Sequence, residues 1–210
     1  MAIFGKKEQQ IVMDGIWNKN PIAYLVMGIC SALAVTVKVE TALLMAIGTS
    51  FVLSFACMVI SFLRNYIPSN VRIIIQLTVI ASLVIIVDQV MKAYAYEISK
   101  QMSVFVGLII TNTLVMGRTE GYAMNNPPWP SFLDGLGNAI GYSGMILTVA
   151  GMREIFGSGT FLGFQVIPQA FYQAGYINNS MLLLAPGAFF LLAAIVCLQR
   201  SISGYKEEQQ

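Results

Sequence analysis

Residues 28–40 read "GICSALAVTVKVE". A run of small apolar residues around Cys30 passes into Lys38 and Glu40 with no Gly or Pro to end it. Gly28, Ser31, Ala32 and Ala34 are the kind of residue that lets another helix approach closely inside a membrane. Residues 108–120, "LIITNTLVMGRTE", repeat the arrangement and close on Arg118 and Glu120, 80 positions after Lys38 and Glu40. Twice, then, a short small-residue segment runs into a basic-x-Glu pair, and the fold turns on what these two segments are.

The surrounding composition is that of an integral membrane protein. Of 210 residues, 57% are hydrophobic and 10% charged, against about 25% charged in a soluble domain. A net charge of +2 with no basic tract gives no reason to expect nucleic acid as a partner. The opening "MAIFGKKEQQIVMDGIWNKN" is polar and lacks the apolar core of a secretory signal. Three cysteines without a CxxC pattern argue against a disulfide framework or a zinc site built by this chain alone. Histidine is absent, which removes imidazole chemistry and haem ligation.

Six apolar stretches stand out, at about 21–37, 41–63, 73–91, 101–116, 136–157 and 179–199. They predict an all-α integral membrane fold, a single polytopic domain over 1–210. A span needs about 20 apolar residues at ~1.5 Å each. The second and third stretches satisfy this, whereas the first and fourth read as short helices or half-helices. Arg153-Glu154 interrupts the fifth. Asn20-Pro21 suits an N-cap followed by an N1 proline, and Pro186 should kink or loosen the sixth helix. The order short, long, long occurs twice, with repeat halves at about 20–100 and 101–200. That order predicts an inverted repeat of three plus three helices, whose matching short segments mark the functional centre. In the plainer alternative, the two basic-x-Glu pairs are ordinary interfacial helix ends. If all six stretches cross, Lys6, Lys7, Lys19, Arg64, Arg72, Arg118, Arg200 and Lys206 share one side, and Lys38, Lys92, Lys100 and Arg153 the other. This asymmetry puts both termini in the cytoplasm. The aromatic-rich loop 157–176 is expected at the opposite interface.

Few side chains carry chemistry. Cys30, in the first short segment, is either a small buried residue or a thiolate at a helix contact, able to hold iron or be shared with a second subunit. Cys57 and Cys197 lie on other stretches, so the chain cannot ligate an iron–sulfur cluster by itself. Asp88 lies 16 residues after Arg72, about 24 Å along a helix, with Lys92 as an i,i+4 partner. It is either a paired interfacial charge or a step in a cation path, since carboxylates in membrane segments are costly. Glu40, Glu120 and Asp134 are further oxygen donors of the kind Na⁺ needs. There is no nucleophile–base pair, no phosphate-binding glycine loop and no dinucleotide fingerprint, so neither a catalytic residue nor an NADH or flavin site is expected on this chain.

Five stretches together carry a family resemblance: "GICSALAVTVKVETA", "NYIPSNVRIIIQLTVIASLVIIVDQVMKAY", "ISKQMSVFVGLIITN", "SFLDGLGNAIGY" and "LLLAPGAFFLL". Over about residues 18–200 the chain resembles the family of D-type membrane subunits of the Na⁺-translocating NADH:quinone oxidoreductase, which is related to the Rnf complex. "VTVKVETA" and "ISKQMSVFVG" look more like the quinone reductase than Rnf. The resemblance implies a six-helix protein of the bacterial inner membrane, working with subunits A, B, C, E and F and in closest contact with the E-type sister subunit. Its function would be electron transfer from NADH to quinone coupled to Na⁺ export; a non-redox scaffold or ion-path subunit is the alternative. It also implies a [2Fe–2S] cluster at the contact with the E-type subunit, each of the two giving two cysteines from its short segments. Cys30 matches the first. Where the family reads "IITNC", this chain reads "IITNT", with Thr113 at the second position. A neutral hydroxyl is a poor iron ligand beside a thiolate. The departure leaves three outcomes open: an altered ligand set, no cluster, or a different route for electrons.

Overall fold

The computed structural model describes residues 6–18, 20–94, 107–161, 164–165 and 179–202. Residues 101–106 of the fourth stretch, most of the loop 157–176, and Lys19, Lys100 and Lys206 lie outside the described residues.

Two long helices form the centre. The helix α3, Val39–Leu63, is 25 residues long and uncharged after Glu40. The helix α6, Pro128–Ser158, has 31 residues, about 46 Å at ~1.5 Å per residue. They pack antiparallel along their whole length. Val39 N meets Glu154 Oε2 at 2.7 Å, Ser50 Oγ lies 3.4 Å from Ser143 Oγ, and Ser61 Oγ donates to Asn126 O at 2.5 Å. Between these points a Cβ on Gly135 would lie 3.0 Å from Ser54 Cα. The glycine therefore lets the two backbones touch.

The helix α4, Arg72–Tyr94, follows α3 through a single 3₁₀ turn at Ser69–Val71. Within its most apolar 18 residues 17% are buried, against 56% for the corresponding window of α3. α4 thus sits at the rim, where its Ile and Val side chains suit lipid. Both are long and apolar enough to cross a membrane.

Around this core the structure departs from the sequence reading in two places. Arg153-Glu154 does not interrupt the fifth stretch: α6 runs through both residues, which turn inward and are buried. Pro186 does not kink the sixth. A 3₁₀ turn at Ser180–Leu183 precedes the helix α7, Ala185–Ile202, and Pro186 stands in its first turn, where the missing N–H has no helical partner to lose. At the N-terminus the polar opening, for which the sequence gives no structural expectation, forms an arm made of the helix α1 (Lys6–Met13) and a wide π-helical turn, Asp14–Asn18, lying along α6. Gly137 and Gly141 make room for it. A Cβ on Gly137 would lie 2.8 Å from Val12 O, and one on Gly141 2.6 Å from Gly15 O.

The two short segments are broken. In the first, Asn20 Oδ1 accepts from Ile22 N at 3.1 Å and Ala23 N at 3.3 Å, capping the turn that starts at Pro21 as the Asn-Pro pair suggests. The chain then breaks at Val26 (φ 56°) and Gly28 (φ 78°) before the helix α2, Ile29–Val35. A β-branched residue at positive φ is an outlier, costing on the order of 1–3 kcal/mol. In the second, helical residues 107–110 stop at Thr111-Asn112. The helix α5, Thr113–Arg118, starts afresh with Asn112 as its cap, accepting from Leu114 N at 3.0 Å. A second wide turn, Thr119–Ala123, leads on towards α6.

Candidate functional site

The two breaks meet. A Cβ on Gly28 would lie 3.2 Å from Asn112 Oδ1 and 2.8 Å from Tyr142 Cε2. Only glycine tolerates both the positive φ and this contact. Tyr142, fully buried halfway along α6, joins them: its hydroxyl lies 2.5 Å from Ser31 Oγ on α2 and accepts from Asn112 Nδ2 at 3.4 Å. Ser31 in turn donates to Gly28 O at 3.0 Å. One phenol thus ties together the starts of both half-helices at mid-height of the longest helix.

From this point the half-helices run to opposite ends of α6. At the end of α2, the buried Arg153 donates to Leu33 O at 3.0 Å and Thr36 Oγ1 at 2.6 Å, and to Leu182 O and Leu183 O at 2.9 and 2.7 Å. Three of these acceptors are carbonyls that a helix end and a 3₁₀ turn would otherwise leave orphaned. At the end of α5, Arg118 makes a two-pronged ion pair with Asp134, one arm being Nε to Oδ2 at 3.0 Å. The Arg118 guanidinium also stands 5.3 Å from the Tyr122 ring centroid.

The two basic-x-Glu pairs are unlike in their surroundings. Lys38 and Glu40 are exposed at the start of α3 and line a cavity of about 230 Å³ with Glu154. Arg118 and Glu120 are drawn inward: Glu120 pairs with Arg72 and accepts from Gln76 Nε2 at 2.7 Å. The second pair therefore fastens the turn after α5 to both α4 and α6. Asp88 pairs with Lys92 at 2.5 Å, the i,i+4 contact expected from sequence. Cys30 and Thr113 are both exposed, each within two residues of its break, and Cys57 is buried. Among the described residues, no three His, Cys, Asp or Glu side chains converge as a metal site.

Sequence reasoning passes over Tyr142, Asn112, Asn138 and the N-terminal arm, and misses the role of Arg153. A signal exists for some of them. The run "GLGNAIGY", 135–142, spaces glycines along one helix as a groove for another backbone requires. Arg153 enters the sequence reading as a basic charge counted for topology, and the structure makes it a buried donor.

Comparison with known proteins agrees with this architecture. A family model described as "Rnf-Nqr subunit, membrane protein" matches residues 9–196. The D subunit of the Na⁺-translocating NADH-quinone reductase of Shewanella sp. (strain ANA-3) is 53% identical over 204 residues, covering 97% of this chain and 96% of the relative. The D subunits of Shewanella oneidensis, at 53%, and Shewanella baltica, at 52%, match over the same extent. With the family's match running from the N-terminal arm into the last helix, the chain belongs to the Rnf-Nqr family of membrane subunits.

Proposed function

We propose that this chain is the D-type membrane subunit of a Na⁺-translocating NADH:quinone reductase, taking part in electron transfer from NADH to quinone coupled to Na⁺ export. The observation that carries this is its likeness, over nearly its whole length, to relatives bearing that name. The chain is not catalytic alone; it works in a bacterial inner membrane with subunits A, B, C, E and F.

Within that reading, the chain is an inverted repeat of three plus three helices with both termini in the cytoplasm. Three features support the repeat: the breaks meet at Tyr142, α2 and α5 lead to opposite ends of α6, and α3 lies antiparallel to α6; the orientation rests on the split of basic residues. The exposed face with Cys30 and Thr113 is the contact with the E-type sister subunit. Asp88, Asp134, Glu40 and Glu120 are the carboxylates of the cation path, each within reach of a basic side chain or an open cavity.

The shared [2Fe–2S] cluster does not fit this chain's side chains as the family pattern requires. A cluster of that kind normally takes four thiolates, two from each subunit, and the two positions of the family pattern here carry one thiol, Cys30, and one neutral hydroxyl, Thr113. No electron step is therefore assigned through it. Thr113 is also what favours the second reading, a scaffold or ion-path subunit whose Cys30 is inert.

Two experiments test the proposal. Inverted membrane vesicles should accumulate Na⁺ on addition of NADH, and deletion of this chain should abolish both uptake and quinone reduction; uptake that survives deletion overturns it. A reporter fused after Gln210 should behave as cytoplasmic, and activity of a periplasmic reporter there overturns the topology.

A further inference from the structure

Between α3 and α4 lies a groove of about 270 Å³ lined by apolar residues alone. Leu44, Gly48 and Phe51 come from α3, and Ile86, Val87 and Val90 from α4. Both helices are long and apolar enough to cross a membrane, so the groove opens onto hydrocarbon rather than water. Its floor is the buried Gly48. A Cβ there would stand 3.4 Å from Ile109 Cδ1 and 3.8 Å from Val87 Cγ1, ordinary contact with side-chain tips. The glycines of α6 are different: at Gly135, Gly137 and Gly141 a neighbouring backbone fills the space. Among the described residues no neighbouring backbone fills it at Gly48, so helix packing does not account for the missing side chain.

Width and depth decide the occupant. A second helix, about 10–12 Å across with its side chains, cannot enter a hollow of this size, whereas a single flexible hydrocarbon chain can. The lips face outward, with Ile47 61%, Ile86 54% and Val90 52% exposed. Leu44 follows the start of α3 at Val39, and Val90 precedes the end of α4 at Tyr94, so the groove begins about 6–8 Å inside the helix ends. That is the depth at which hydrocarbon begins beneath the headgroups. From there it runs about 10 Å along α3 to Phe51, whose ring is backed by Phe55 with 4.4 Å between centroids. We propose that this groove holds one acyl chain of a membrane phospholipid, drawn from the leaflet at the Lys38 and Lys92 end of the bundle. The chain wedges the rim helix α4 against α3 in the half that carries Asp88. Phospholipid is the solvent of this surface, so even a weak preference keeps the groove filled by mass action. The proposal rests on the membrane setting and stands apart from the pump reading.

The test uses the purified complex in liposomes of phosphatidylethanolamine and phosphatidylglycerol, with a trace of phospholipid carrying a diazirine in one acyl chain. The complex is exchanged into detergent and irradiated, and the labelled peptides are located by mass spectrometry. Label on Leu44, Phe51, Ile86 and Val90 should survive the exchange, while label on Ile73 and Ile74, exposed on α4 outside the groove, washes out. Gly48→Leu puts a side chain into the hollow and should abolish the retained label. Should that variant fail to assemble, Val87→Phe fills the hollow from the other wall, with the same expected loss. Equal labelling of groove and outer face after exchange means bulk lipid contact only and overturns the site, as does retained label in an assembled filling variant. An unlabelled groove in the parent complex means that another subunit covers it. Label displaced by a long-chain ubiquinone at a small fraction of the lipid concentration gives the groove to a prenyl tail. Either result also overturns the proposal.

Discussion

Ser31 Oγ and Tyr142 Oη lie 2.5 Å apart, across 111 residues of chain. This contact, with Asn112 on the other side of the phenol, makes the two broken segments one structure. Tyr142→Phe keeps the ring and removes the bridge. Ser31 retains Gly28 O, and Asn112 retains its cap on Leu114, so the loss should be modest, about 1–2 kcal/mol. Thermal unfolding of the purified complex measures it; an unchanged midpoint would mean that the bridge contributes nothing.

Gly28→Ala attacks the same centre from the backbone. The added methyl meets Tyr142 Cε2 at 2.8 Å, at a φ of 78°. The backbone alone should cost roughly 1–2 kcal/mol, with the clash added. Lower assembly yield and a lower unfolding midpoint than for Tyr142→Phe are the expected results.

Arg153→Met keeps the bulk and removes every donor. Three carbonyls and Thr36 lose a charged partner in a buried place, at a cost of roughly 3 kcal/mol or more. Arg153→Lys should recover only part of this, because an ammonium cannot span the planar fork. The readout is the amount of assembled complex in the membrane, and equal yields for Met and Arg would refute the capping role.

Asp88 pairs with Lys92, whose side chain is 46% exposed, and such pairs contribute about 0–1 kcal/mol. Asp88→Asn should therefore assemble normally. If Asp88 belongs to the cation path, the variant needs more Na⁺ for half-maximal quinone reduction. A lower yield with an unchanged Na⁺ requirement assigns it instead to holding Lys92.

Cys30→Ala and Thr113→Cys test the face between the breaks. Cys30 is exposed, so Cys30→Ala opens no core cavity and should change the stability of this chain by no more than about 0.5 kcal/mol. Loss of iron from the complex together with loss of quinone reduction places Cys30 at a metal. Thr113→Cys adds a thiolate at nearly constant volume and should shift the electron paramagnetic resonance signal of the complex's iron. An unaltered spectrum removes position 113 from any metal centre.

The sequence by itself determined the solvent this protein lives in, and that two short segments stand apart from the long spans. Low charge and long apolar runs leave no way to cover a water-exposed surface, and that is a sum over residues, independent of their arrangement. The Asn20-Pro21 pair is legible for a related reason: side-chain capping is a local property of a few residues. The basic-x-Glu recurrence was visible too, but only the tertiary structure decided that one pair faces outward and the other binds α4 and α6. A charge carries no mark of its partner, and Arg72 and Asp134 reach Glu120 and Arg118 only once the helices have packed. The same holds for Arg153, which looks like a charge that should end a helix. Its acceptors come from two distant parts of the chain, near residues 33–36 and 182–183. The polar N-terminal arm was hidden most completely. Its place depends on a groove of glycines in a helix more than a hundred residues away, where the absence of a side chain lets one backbone lie against another.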